Sequence, residues 1–259
     1  MTVNWQEIKK DLSPIKDYED LAKRFRDAAA YAFVRKHFNL SMTEMVEYTL
    51  QMLGGDTKNR YTQWMEALIR SFHRLAEAGV RDVLNLVEQV DTREKFEGFL
   101  AQSGMEAKEL VGVLKYLVYW FLPPKKYLGE LVKDDPIVLG DIAKLRSCGI
   151  RFNLDLLEWG ATTEARKVLA ERCGLPEAAI AGLVNRSDFS RLPWTNKVTV
   201  SNYIGSGYVS LAQLANTSLE QVSADFYRYG ESIGKNFKYG SEIDNAHRIA
   251  RIVPKVVQE

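Results

Sequence analysis

Few side chains in this chain have the types and spacing that chemistry needs. The three histidines, His37, His73 and His247, are the only imidazoles. None stands in a His-Glu-x-x-His or Glu-x-x-His register, so a helical zinc or di-iron site lacks its usual ligands. Asp244 and His247 fall one helical turn apart, which suits a helix contact better than a ligand pair. Cys148 and Cys173 have no Cys-x-x-Cys partner, which argues against metal binding there. The glutamates Glu44, Glu47, Glu66 and Glu77 could serve acid–base work only if two converged in a pocket, and their pattern fits a solvated helix face. No phosphate-binding glycine loop, dinucleotide fingerprint or nucleophile elbow occurs, and Gly205-Ser206-Gly207 reads as a turn. No catalytic residue, metal site or cofactor is expected.

Basic residues interleaved with aromatics carry the remaining hint. Phe226-Tyr227-Arg228-Tyr229 and Lys235-Asn236-Phe237-Lys238-Tyr239 could stack on bases while neutralising phosphates, or could turn alternate aromatics into a core. Arg186, Arg191 and Lys197 are the candidate contacts of a nucleic-acid interface built on helix faces. In the first half, Tyr31, His37, Trp64, His73 and Tyr119 are the candidates for a ligand cavity between helices, while Tyr116, Tyr119, Trp120 and Phe121 read as core.

The elements that must position these residues are helices. Leu21, Phe25, Ala28, Ala29 and Ala32 share one face of a helix expected over 17–36, with Asp17 as its N-cap. Ser41 caps a second helix that Gly54-Gly55 ends, and a long helix carrying Trp64, Leu68 and Phe72 stops at Gly79. Further helices are expected over 81–90, 93–102 and 105–122, the last closed by Pro123-Pro124. No stretch alternates with period two between hairpin turns, so the fold class is all-α. An N-terminal helical bundle is expected over 1–124, a polar, proline-containing linker over 125–136, and a second domain of shorter helices over 137–259.

Composition bounds the function classes. Of 259 residues, 46% are hydrophobic and 27% charged, as in globular proteins, and 35 basic residues balance 34 acidic ones. That balance disfavours a dedicated duplex-binding protein, whose affinity comes from neutralising phosphates. Two cysteines are too few for a disulfide scaffold, and they are expected as reduced, partly buried small side chains. The N-terminus lacks a secretory pattern, and the longest apolar run, 110–122, falls short of the roughly 20 residues of a membrane span. A cytoplasmic protein with no membrane partner is expected.

The second half resembles a tandem helix-hairpin-helix family known only as a domain of unknown function. The resemblance runs over about 139–250, through Cys148-Gly149-Ile150, Leu156-Leu157, Trp159-Gly160-Ala161-Thr162, Arg166, Leu169-Ala170, Asp188, Arg191-Leu192 and Gly207-Tyr208-Val209-Ser210-Leu211. Such a hairpin uses glycine to expose backbone amides to a phosphate. The resemblance places the two hairpins at Pro136–Asp141 and Arg191–Lys197. The first has one glycine beside an aspartate. The second has none, and its Pro193 has no amide hydrogen to donate. Both hairpins therefore read as degenerate, with Trp194 serving packing or a partner. The expected function is a non-enzymatic interaction or scaffolding protein whose partner is a protein. The alternatives are a nucleic-acid-binding protein using basic helix faces, and an enzyme or small-ligand sensor with a pocket in the N-terminal bundle.

Overall fold

Helix starts follow the capping residues. Ser41 and Glu44 form a reciprocal capping box at the head of the helix Met42–Leu53, and Asp17, Asp82, Thr92, Asp135, Thr162, Asn196, Ser210 and Ser218 each accept an amide of the first turn they precede. The computed structural model describes residues 3–55, 59–235 and 241–258. Its described residues form sixteen α-helices and no strand, so the chain is all-α. The chain divides into two compact units, Met1–Leu122 and Pro123–Glu259.

The first unit holds α1 (Trp5–Leu12), α2 (Tyr18–Ala29), α3 (Ala32–His37), α4 (Met42–Leu53), α5 (Asn59–Glu77), α6 (Val83–Val90), α7 (Arg93–Ser103) and α8 (Ala107–Tyr116). The expected helix over 17–36 is broken: Arg35 turns back to bond the carbonyls of Ala29 and Ala30, and the chain restarts at Ala32. α8 runs into a π-turn, Leu117–Phe121, before the prolines. Of the aromatics expected as core here, Phe121 is buried edge-on to both Phe38 and Tyr48 and Tyr116 edge-on to Trp64 and Phe72, while Tyr119 and Trp120 are half-buried.

The second unit holds a 3-10 turn (Leu128–Leu131), α9 (Pro136–Ser147), α10 (Asn153–Gly160), α11 (Thr163–Cys173), α12 (Glu177–Phe189), α13 (Lys197–Gly205), α14 (Leu211–Asn216), α15 (Leu219–Ser232) and α16 (Ser241–Ala250). Leu156, Leu157, Leu169 and Leu211, among the residues that carry the resemblance, are all buried in its core. The segment 125–136, expected as a linker, is part of this unit. Leu128, Leu131 and Val132 are buried, and the fully buried Asn153 holds the strand of chain beside them. Its side-chain amide donates to Pro124 O and Ser190 Oγ, and its carbonyl oxygen accepts from Lys126 N. The prolines and charges of this stretch set its conformation but do not keep it in solvent.

One helix–glycine–helix unit recurs. From Leu75 to Met105 and from Leu145 to Leu175 the sequence keeps step without a gap at a spacing of 70, which aligns Gly79 with Gly149 and Gly104 with Gly174. All four glycines have positive φ, which a Cβ disfavours. Val80 and Ile150 after the first glycine are buried, as are Leu86 and Leu156, and Thr92 and Thr162 cap the following helices alike. A third, looser copy starts at Tyr203, with Gly207 and the buried Tyr208 in the same places.

Candidate functional site

Glycine turns are where an anion could meet exposed amides, so the fate of those amides decides what the turns can do. In each copy the residue after the glycine closes the preceding helix: Val80 N to Leu75 O, Ile150 N to Leu145 O and Tyr208 N to Tyr203 O, all 3.0 Å. The next amide is taken by a side chain four residues on. Arg81 N donates to Asn85 Oδ1 (3.2 Å) and Val209 N to Gln213 Oε1 (2.9 Å). Asp155 Oδ2 accepts from both Arg151 N and Phe152 N at 2.8 Å. Donors that could face a phosphate are thus satisfied within the turn, and in the second copy a carboxylate already sits on them.

The two segments in which the resemblance implies hairpins are distinct from these turns. Pro136–Asp141 is the first part of α9, with Asp135 Oδ1 accepting from Val138 N (3.1 Å). Arg191–Lys197 joins α12 to α13, and Lys126 Nζ donates there to the carbonyl of Thr195. Trp194 is the connection's left-handed residue (φ +59°) and is exposed.

The proposed nucleic-acid contacts do not share an exposed face. Arg191 is internal, with a side chain only 2% exposed. Its Nε and Nη2 donate to Asp188 Oδ1, the former at 2.8 Å, and its Nη1 donates to Pro254 O at 2.9 Å. Burial pushes the Asp188 carboxyl up against the opposing pull of Arg191. Arg186 is half-buried, and desolvation draws its guanidinium below the ordinary range although Asp135 is near. Lys197 is exposed.

The other sequence candidates separate in the same way. In the first aromatic–basic run Phe226 is buried against Tyr203 and Tyr208, whereas Tyr227 and Arg228 are exposed and Arg228 pairs with Asp225. The residues 236–240 of the second run lie outside the described residues. His247 is buried and donates from Nε2 to Thr217 O at 2.7 Å. Glu44, Glu47, Glu66 and Glu77 are exposed. His73 is exposed on α5, whereas Trp64 packs against Tyr116 and Trp120. Among the described residues, no three or more His, Cys, Asp or Glu side chains are grouped to hold a metal, and no helix is long and apolar enough to cross a membrane.

Sequence reasoning missed a groove of about 300 Å³ between α10 and α11, lined by Trp159, Thr162, Glu164, Ala165, Val168, Leu169 and Arg172. Leu169 forms its buried floor, while Trp159 and Val168 are each 58% exposed. The repeat supplies a control. At the matching positions of the first copy, Trp159, Ala165, Val168 and Arg172 are replaced by Gln89, Lys95, Gly98 and Gln102. Most buried positions stay apolar between copies, with Val83/Asn153 and Phe96/Arg166 as exceptions, whereas this rim changes from polar or small to apolar at three places. The fold therefore does not require an exposed tryptophan and valine here. The signal was readable as an outward apolar pair nine residues apart, but only once the register of α10 and α11 is known.

Residues 140–236, which include this groove, match the family model of a domain of unknown function, DUF4332. No curated protein and no solved structure matches the chain.

Proposed function

We propose that this is a non-enzymatic intracellular interaction or scaffolding protein, cytoplasmic, whose second unit is a degenerate tandem helix-hairpin-helix domain that binds protein in place of nucleic acid. The observation that carries this reading is the groove of Trp159, Ala165 and Val168, open on the surface of a unit whose other copy has Gln89, Lys95 and Gly98 at the same places. Exposed large apolar side chains bordering a concave surface mark partner sites more often than isolated ones do. Glu164 and Arg172 at the rim give the polar edge that surrounds a typical binding centre. The self-satisfied turns add the complementary argument: Asp155 occupies the amides on which a phosphate would have to sit. The occupant that fits is a protein segment inserting one large apolar side chain between Trp159 and Val168.

Selection of displayed random peptides on the purified protein tests this. The expected binders share an aromatic or leucine anchor, and their binding falls at least tenfold with Trp159→Ala and with Val168→Glu but not with Lys197→Ala. Selected peptides indifferent to both groove variants would overturn the site. Tight, salt-dependent duplex DNA binding that disappears with Lys197→Ala would replace the proposal with a nucleic-acid function.

A further inference from the structure

Cys148 and Cys173 are 25 residues apart, and each ends a helix directly before a left-handed glycine, Gly149 (φ +87°) and Gly174 (φ +61°). The two helix ends meet. Arg172 donates from Nη2 to the carbonyl of Cys148, and Cys148 Sγ lies 3.8 Å from the carbonyl of Arg172, as a donor to it. Burial, the largest cause, together with the neighbouring Cys148 pushes the Cys173 thiol up to about 11. Both are free thiols, Cys148 half-buried and Cys173 buried. At the matching positions of the first copy stand Ala78 and Ser103, so the repeat folds without sulfur at either place.

We propose that Cys148 and Cys173 form a redox-active dithiol that closes to an intramolecular disulfide by exchange with a low-molecular-weight disulfide of the glutathione type. Cys148 is the entry point because it is the more exposed of the two. Its thiolate attacks one sulfur of the small disulfide, whose S–S bond breaks, and one small thiolate leaves. Cys173 then gives its proton to solvent and attacks Cys148 Sγ, and the bond to the second small thiolate breaks. Two protein thiols are oxidised, one small disulfide is reduced to two thiols, and protons pass through solvent. The new bond ties the end of α9 to the end of α11 and encloses α10 in a covalent loop. The inference is independent of what fills the groove.

The test equilibrates the full-length protein in glutathione redox buffers, quenches it with an alkylating reagent and measures intact mass and peptide maps. The expected product is lighter by two hydrogens, resists alkylation at both cysteines and yields a Cys148–Cys173 cross-linked peptide. Closing a loop of this length should raise the Tm of the oxidised protein by about 5–10 °C. Cys173→Ser should accumulate a glutathione adduct on Cys148, and Cys148→Ser should accumulate none. Full alkylation across the whole redox range, a wild-type protein that stops at the glutathione adduct, or a disulfide between two chains would each overturn the proposal.

Discussion

Replacing Arg191 by alanine separates an internal role from a nucleic-acid role for this residue. The side chains of Arg191 and Asp188 are 2% and 8% exposed, and the guanidinium also serves the carbonyl of Pro254. Truncation leaves a buried carboxylate and a carbonyl without their donor, a loss that costs about 3–5 kcal/mol for pairs of this kind. In a unit of this size that corresponds to a fall in Tm of about 10–15 °C. The pH dependence carries a second signature. Burial already raises the Asp188 carboxyl, and loss of Arg191 removes the one influence that lowers it. A carboxyl raised on folding gives stability that is fully present below the ordinary value of about 4 and is lost as pH rises through the folded value. The penalty of Arg191→Ala should therefore be largest at neutral pH and shrink towards pH 4. Urea denaturation followed by circular dichroism at several pH values measures this, with Asp188→Asn and the double variant completing the cycle. A loss below about 1 kcal/mol at pH 7, or a penalty that grows on acidification, would refute the buried pair.

Other substitutions test the packing and the turns. Leu157→Ala, at a fully buried position of α10, should cost about 2–5 kcal/mol in the same denaturation assay, and a loss below about 1 kcal/mol would mean that its register is wrong. Gly149→Ala should cost about 1–2 kcal/mol because its φ is +87°, whereas Gly140→Ala, on the exposed face inside α9, should be neutral or stabilising by up to about 1 kcal/mol. Equal effects at the two sites would contradict the turn. Gly160→Ala should cost about 1–3 kcal/mol, since a Cβ there would stand 2.8 Å from the buried Val184 Cγ2 where α10 meets α12. A neutral outcome in thermal unfolding would show that the two helices can move apart.

The parts of this fold that were legible in the sequence are those set by local chemistry. Ser41 with Glu44, Asp17, Gly79 and Pro123-Pro124 place helix ends because capping and proline geometry act within a turn. The break at Ala30 and Tyr31 was not legible, since it depends on Arg35 folding back onto carbonyls of the preceding helix. Polar composition misplaced 125–136, because Leu128 and Leu131 are buried where their turn packs on α9, α12 and α13, helices later in the chain. The glycine turns were visible as Cys148-Gly149-Ile150 and Gly207-Tyr208, but their recurrence in the first unit at Gly79 was not. Asp188 and Arg191 stand at ion-pair spacing, yet spacing alone does not distinguish a buried pair from a solvated one. The groove and the meeting of the two cysteine-bearing helix ends are tertiary, arising where the ends and faces of α9, α10 and α11 come together.

The central claim is that Trp159 and Val168 receive a protein partner. A photo-crosslinking amino acid placed at position 168, whose native side chain is 58% exposed, tests it in cells that make the protein. The account predicts a crosslinked species of discrete mass that is sensitive to protease, resistant to nuclease and lost when Trp159 is changed to alanine. A nuclease-sensitive crosslink, or one that survives Trp159→Ala unchanged, would contradict it.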